Sequence, residues 1–116
     1  MSEEDLRILM ARKKVLSYIG IATKSGKIAS GEFLTEKSVK EGSAQLVIVA
    51  DDASDNTKKM FKNMCSFYEV PLCFFESKES LGHSMGKEFR ASLAFLDKGL
   101  AQAANKQLEI AKMEVL

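Results

Sequence analysis

Two glycine–lysine pairs, Gly26-Lys27 and Gly86-Lys87, are the first places where this chain could hold a phosphate. Backbone N–H groups of a glycine-rich turn cradle a triphosphate together with a lysine when the spacing is G-x-x-x-x-G-K followed by Ser or Thr. Neither pair meets that requirement. Upstream of Gly26 the glycine stands at Gly20, one position early, and Ile28 follows the lysine where Mg²⁺ needs a hydroxyl. Upstream of Gly86 the required position is Leu81, and Glu88 follows the lysine. His83, the only imidazole, has no partner at the spacing of a triad or a metal site and reads as a solvated residue. Asp51-Asp52 follow an apolar run, where α/β proteins often place reactive carboxylates, yet an adjacent acidic pair serves equally well to start the turn into the next helix. No acid, base and nucleophile converge, and no metal or cofactor motif appears, so the expectation is a protein that is not an enzyme and carries no cofactor.

Cys65 and Cys73 lie among apolar neighbours and lack Cys-x-x-Cys spacing. They read as buried thiols of a reduced, intracellular protein. The acidic start, Met1-Ser2-Glu3-Glu4-Asp5, leads into no secretory apolar core, and no apolar run approaches a bilayer's thickness. A cytoplasmic protein without membrane contact is expected. At 116 residues with 46% hydrophobic content the chain is sized for one domain, covering 1–116, with 1–13 as a helical extension and 103–116 as the end of a C-terminal helix. Its 17 Lys plus Arg against 16 Asp plus Glu give a net charge of only +1. Nucleic-acid binders that work by bulk charge are strongly basic, so any nucleic-acid binding here requires basic groups concentrated locally.

The elements that must position these residues follow from periodicity. Ser2 to Asp5 has the form of a capping box, and Leu6, Leu9, Met10, Val15, Leu16, Ile19 and Ala22 then recur at helical spacing, giving one or two helices that end near Ser25-Gly26. A short strand over 27–30 precedes a helix over 32–41, opened by Gly31 and stopped by Gly42 at the C′ position. That helix carries a single turn of obvious core residues. Leu46-Val47-Ile48-Val49-Ala50 is continuously apolar rather than alternating, the mark of a strand covered on both faces, and 72–75 and 91–96 repeat the pattern. A helix over 54–68, closed by Val70-Pro71, separates the first two of these strands. A short glycine-interrupted helix over 77–86 and a last helix from Lys98 to about Lys112 complete the alternation. Helix and strand taking turns in this way predict an α/β protein with a central sheet between helices.

One constellation remains: Ser25-Gly26-Lys27, then Gly31-Glu32-Phe33-Leu34-Thr35-Glu36-Lys37-Ser38-Val39 and Gly42, with Leu81-Gly82 and Gly86-Lys87-Glu88-Phe89-Arg90 much later. In this order and spacing it resembles the ribosomal L7Ae/L30e family of kink-turn RNA-binding proteins, and its bacterial L7Ae-like branch most closely. The resemblance runs from about Val15 to Gln102. It includes the strand 46–50, the Pro71 turn and Asp97-Lys98-Gly99 after the last strand. It implies a three-layer α-β-α sandwich of the L30e type with a mixed four-stranded sheet. It also implies an RNA surface built from the N-terminus of the second helix and the loop near 82–90.

Elementary physics supports such a site. A helix start leaves N–H groups unpaired at the positive end of its dipole, and a glycine there allows close approach. RNA is read through bulges, extruded bases and shape, because the base edges of a regular A-form duplex are out of reach. The resemblance assigns Lys27, Lys37 and Lys87 to phosphates, Gly31 and Glu32 to the helix start, and Leu81, Gly82, Phe89 and Arg90 to a loop holding a flipped-out nucleotide, with Glu88 beside them. Lys24, Lys40 and Lys78 would widen the footprint. In archaeal and eukaryotic members the pair matching Phe33 and Leu34 is typically polar and bonds guanine edges. Here both residues are apolar, which favours shape and phosphate readout. The expected protein is a monomer that binds a kink-turn or related internal loop of structured RNA, ribosomal RNA included, in association with the ribosome. The alternative is a module that has lost RNA readout and contacts ribosomal or transcription proteins through Phe33 and Leu34.

Overall fold

A computed structural model describes residues 1–113. Its sheet holds β1 (Ile28–Ser30), β2 (Leu46–Val49), β3 (Leu72–Phe74) and β4 (Ser92–Phe95) in the order β1-β4-β2-β3. The β1–β4 and β4–β2 pairs are antiparallel and β2–β3 is parallel, so the sheet is mixed, as the resemblance implied. Of the three runs without alternation, β2 and β4 are the central strands with every residue buried, whereas the third, β3, lies at the edge of the sheet and is not covered as its unbroken apolar run predicts. On the edge strands β1 and β3 only the middle residue is fully buried. A parallel pair needs a crossover, and the helix α3 (Asp55–Phe67) supplies it.

The other helices are α1 (Glu3–Lys24), α2 (Glu32–Lys40), α4 (Lys78–Ser84) and α5 (Lys98–Ala111). Helices α2 and α3 cover one face of the sheet, while α1 and α5 pack together on the other with α4 against α1. The pleat is visible at Phe74 and Phe75. The ammonium groups of Lys58 and Lys62 on α3 lie 5.8 and 5.6 Å from the centre of the Phe74 ring, and the Arg12 guanidinium on α1 lies 4.8 Å from that of Phe75. All nine elements occur in the order the sequence predicts.

Three details differ from the sequence reading or refine it. The N-terminal segment is one continuous helix of 22 residues, started by the Ser2–Asp5 capping box. Its inward side is Ala11, Val15, Ile19 and Ala22, whereas Leu6, Leu9 and Met10 are exposed, because among the described residues the first turns meet only the end of α5 near Gln107 and Ile110. The thin apolar face of α2 is made up by hydroxyls: Thr35 and Ser38 are buried with Val39, and Ser38 Oγ donates to Thr35 O at 2.7 Å. A hydroxyl that bonds its own backbone can enter a core without an unmet partner. Residues 114–116 of the expected C-terminal helix end lie outside the described residues. The cysteines are buried and unpaired with each other, and burial pushes the Cys65 thiol up to about 11.

Candidate nucleic-acid interface

The chain enters α2 through Gly31 at φ 89° and ψ 167°, a conformation that only glycine adopts without strain. Its N–H donates to Ser92 O at 3.0 Å, which ties the corner to β4. Among the described helices, α1, α3, α4 and α5 begin with a side-chain cap from Ser2, Ser54, Ser77 and Asp97, and α2 has none. The N–H groups of its first turn therefore have no partner within the helix, and the positive end of its dipole stays open. Phe33 and Leu34, in this first turn, are 77% and 48% exposed. A large aromatic ring held outside the core next to free backbone donors is the most unusual surface feature of this end.

The second half comes from α4 and the loop that follows. A Cβ at Gly82 would stand 2.7 Å from Glu88 O and 2.9 Å from Phe89 Cα, so the loop lies on the bare backbone of the helix. Gly82 O accepts from Lys87 N at 2.8 Å and from Met85 N at 3.0 Å, and Gly86 turns the chain at φ 70°. Leu81 is fully buried beneath this turn, so it supports the loop from within and faces no ligand. Lys87, Glu88 and Phe89 point outward, with Phe89 55% exposed. Arg90 joins the two halves. Its backbone N–H donates to Lys78 O at 3.0 Å, its Nε to Ser30 Oγ at 3.0 Å, and its Nη1 to Phe89 O at 2.7 Å. Ser30 immediately precedes Gly31, so this side chain fixes the loop against the start of α2. Ser30 escaped the sequence reading, since nothing in its neighbours marks a bond sixty residues away.

The structure thus brings together Gly31, Glu32, Phe33, Leu34, Gly82, Lys87, Glu88, Phe89 and Arg90. Lys27 is set apart. It stands at the other end of β1, where its carbonyl accepts from Leu96 N, and four residues of extended chain span about 13 Å. Lys37 lies on α2 with its ammonium 3.8 Å from Glu41, and Lys40 bonds Glu36 at 2.9 Å, which raises its pKa. The local concentration of basic groups that the sequence called for does not appear: Glu32 and Glu88 sit beside Lys87 and Arg90. Backbone donors and aromatic faces are the distinctive features instead. Asp52 accepts from Lys78 N at 2.8 Å and so braces the entry to α4, while Asp51 N donates to Glu76 O at 2.7 Å. That is a structural duty across the sheet end, different from the turn into α3, which Ser54 itself caps. His83 is exposed on α4, and Lys24 on the last turn of α1.

The family model of ribosomal protein L7Ae/L30e/S12e/Gadd45 matches residues 13–105. The chain belongs to that family. RNA-binding protein YlxQ of Bacillus subtilis (strain 168) is 41% identical over 83 residues, 72% of this chain and 83% of the relative. RNA-binding protein YlxQ of Enterococcus faecium is 37% identical over 98 residues, 84% of this chain and 94% of the relative. Among solved structures, a protein described as of unknown function from Bacillus halodurans C superposes with a TM-score of 0.80 at 29% identity, over 83% of this chain and 97% of that one. The Giardia lamblia 15.5kD RNA binding protein shares the fold, with a TM-score of 0.70 at 23% identity over 95% and 92% of the two chains. The L7Ae/L30e match covers both halves of the site and β2 and β3 between them. It starts at Lys13, so most of the first half of α1 precedes it.

Proposed function

We propose that this member of the L7Ae/L30e family is a non-enzymatic RNA-binding protein that seats the start of α2 and the 86–90 loop on a kink-turn or related internal loop. The observation that carries the reading is the uncapped first turn of α2 with Phe33 exposed beside it and Phe89 on the adjoining loop. Free N–H groups at a positive helix end bond a phosphate, and an exposed ring stacks on an unpaired base. A kink supplies both, since it bends a backbone toward the helix and extrudes a nucleotide. Phe33 and Leu34 cannot hydrogen-bond guanine edges through their side chains, so shape, stacking and backbone contacts take over discrimination. The relatives named as RNA-binding proteins support the same class of partner. The natural target in this reading is ribosomal or another structured RNA, met in the cytoplasm by a monomer that associates with the ribosome.

The test is a gel shift at fixed salt comparing a kink-turn duplex with the same duplex lacking its bulge. Preference for the bulged form, lost in the Phe33→Ala, Phe89→Ala double variant, supports the proposal, and equal affinity for the two duplexes contradicts it. The exposed apolar pair Phe33 and Leu34 also favours a second reading, a module that docks a ribosomal or transcription protein there. Salt separates the two: phosphate contacts give a steep fall of log K with log[salt], and an apolar protein interface gives almost none.

A further inference from the structure

The 86–90 loop owes its position to α4, and α4 is held from behind by a residue that no feature of the interface points to. Arg12, on the part of α1 that precedes the family match, donates through Nε to Glu76 Oε1 at 2.9 Å, and its Nη2 closes on the same oxygen. The same guanidinium lies over the ring of buried Phe75. The pair is only 35% and 20% exposed at its side chains, which shields it from much of the screening that weakens surface ion pairs. Glu76 itself is at φ 60°, a left-handed conformation that a residue with a Cβ adopts only under constraint. It stands at the bend between β3 and α4. Ser77 caps the helix one residue on, and Lys78 O, two residues on, receives the Arg90 N–H that closes the loop.

We infer that Arg12 is a positioning residue for the loop half of the interface, acting through Glu76. Beside the backbone bond from Asp51 to Glu76 O and the Asp52 brace at Lys78, the ion pair and the Phe75 face hold residue 76 in its left-handed conformation, and that bend aims α4, on which Gly82 carries residues 87–89 and from which Lys78 anchors Arg90. A second contact completes the seat: α4 approaches α1 so closely at Gly20 that a Cβ there would lie 3.4 Å from Ser84 O. The inference rests on the RNA reading of the site for its functional consequence, and on the clamp geometry alone for its structural one.

Two measurements on the full chain separate those dependences. Amide hydrogen exchange without RNA reads the clamp. Arg12→Ala should speed exchange at Lys87 and Arg90, whose N–H groups close the loop, by about ten-fold while amides of β2 and β4 keep their rates. Adding Glu76→Gly to that variant should restore slow exchange, because glycine adopts the left-handed bend at no steric cost and leaves the clamp no strain to offset. Uniform acceleration over loop and sheet, or no recovery with Glu76→Gly, would overturn the inference.

Binding of the kink-turn duplex reads the consequence. Arg12→Ala should weaken it by about ten-fold with an unchanged salt slope, and the Arg12→Ala, Glu76→Gly pair should return to within about two-fold of the parent. A slope made shallower by about 1 identifies a direct phosphate contact instead and overturns the positioning role. Failure of the unaltered protein to bind either duplex counts against the proposed function, while the exchange result still decides the clamp.

Discussion

The two halves of the interface are built in opposite ways. The start of α2 is part of the sandwich: its corner is bonded to a central strand, Thr35 and Ser38 seal its underside, and only its first turn looks outward. The 86–90 loop is an excursion that rests on Gly82, Arg90 and the bend at Glu76, which Arg12, Asp51 and Asp52 brace. The first half is therefore a rigid platform and the second half is adjustable. Changes beneath the loop should alter binding more than stability, changes to the backbone corner of the platform should alter both, and side chains projecting from its first turn should alter binding alone.

The largest effect is expected at Gly82. With Glu88 O only 2.7 Å from the site of a Cβ, Gly82→Ala must push the loop off α4. Overpacking of this kind costs about 1 to 3 kcal/mol, and a displaced loop should also abolish the preference for a bulged duplex in a gel shift. Gly31→Ala strikes the platform. The left-handed corner at φ 89° should cost about 1 to 3 kcal/mol of stability in urea unfolding, with RNA affinity falling alongside. Phe33→Ala removes an exposed ring and leaves the core untouched, so the melting temperature should hold while RNA binding weakens by about 1 to 3 kcal/mol if the ring stacks on a base. A fall in both would place Phe33 among the packing residues after all. The smallest change is at Ser92, whose buried hydroxyl has no hydrogen-bond partner among the described residues. Ser92→Ala should be neutral or stabilise by about 1 kcal/mol, and a loss of stability would reveal a partner for that hydroxyl.

Much of this was legible in the sequence. Unbroken apolar runs mark the two central strands but mark the edge strand β3 in the same way, Gly31 and Gly42 bracket α2, and the glycine and lysine spacing points to the family. Local periodicity reports which face of an element is apolar, and that is enough to order layers. It does not report what an apolar face meets. Leu6, Leu9 and Met10 have the right spacing for a core and stay exposed, because α5 ends opposite them. Nor does closeness in sequence measure distance. Lys27 is four residues from Gly31, but those residues form a strand and carry it to the far end of β1. The sequence marks Leu81 and Gly82 as loop-shaping residues but carries no sign that one is entirely buried and the other touches backbone. The pairs Arg12–Glu76 and Arg90–Ser30 were invisible, since each joins residues about half the chain apart through ordinary polar side chains.

In the function proposed, one end of the molecule, where α2 starts and the 86–90 loop closes, is the surface that meets RNA. Backbone amide shifts recorded while the protein is titrated with a bulged kink-turn duplex test it directly. The largest changes are expected on Glu32, Phe33 and Leu34 and on residues 87–90, with Gln45, Lys98 and Gln102 at the opposite end unmoved. Changes centred on Gln45, Lys98 and Gln102, with the α2 start silent, would contradict it.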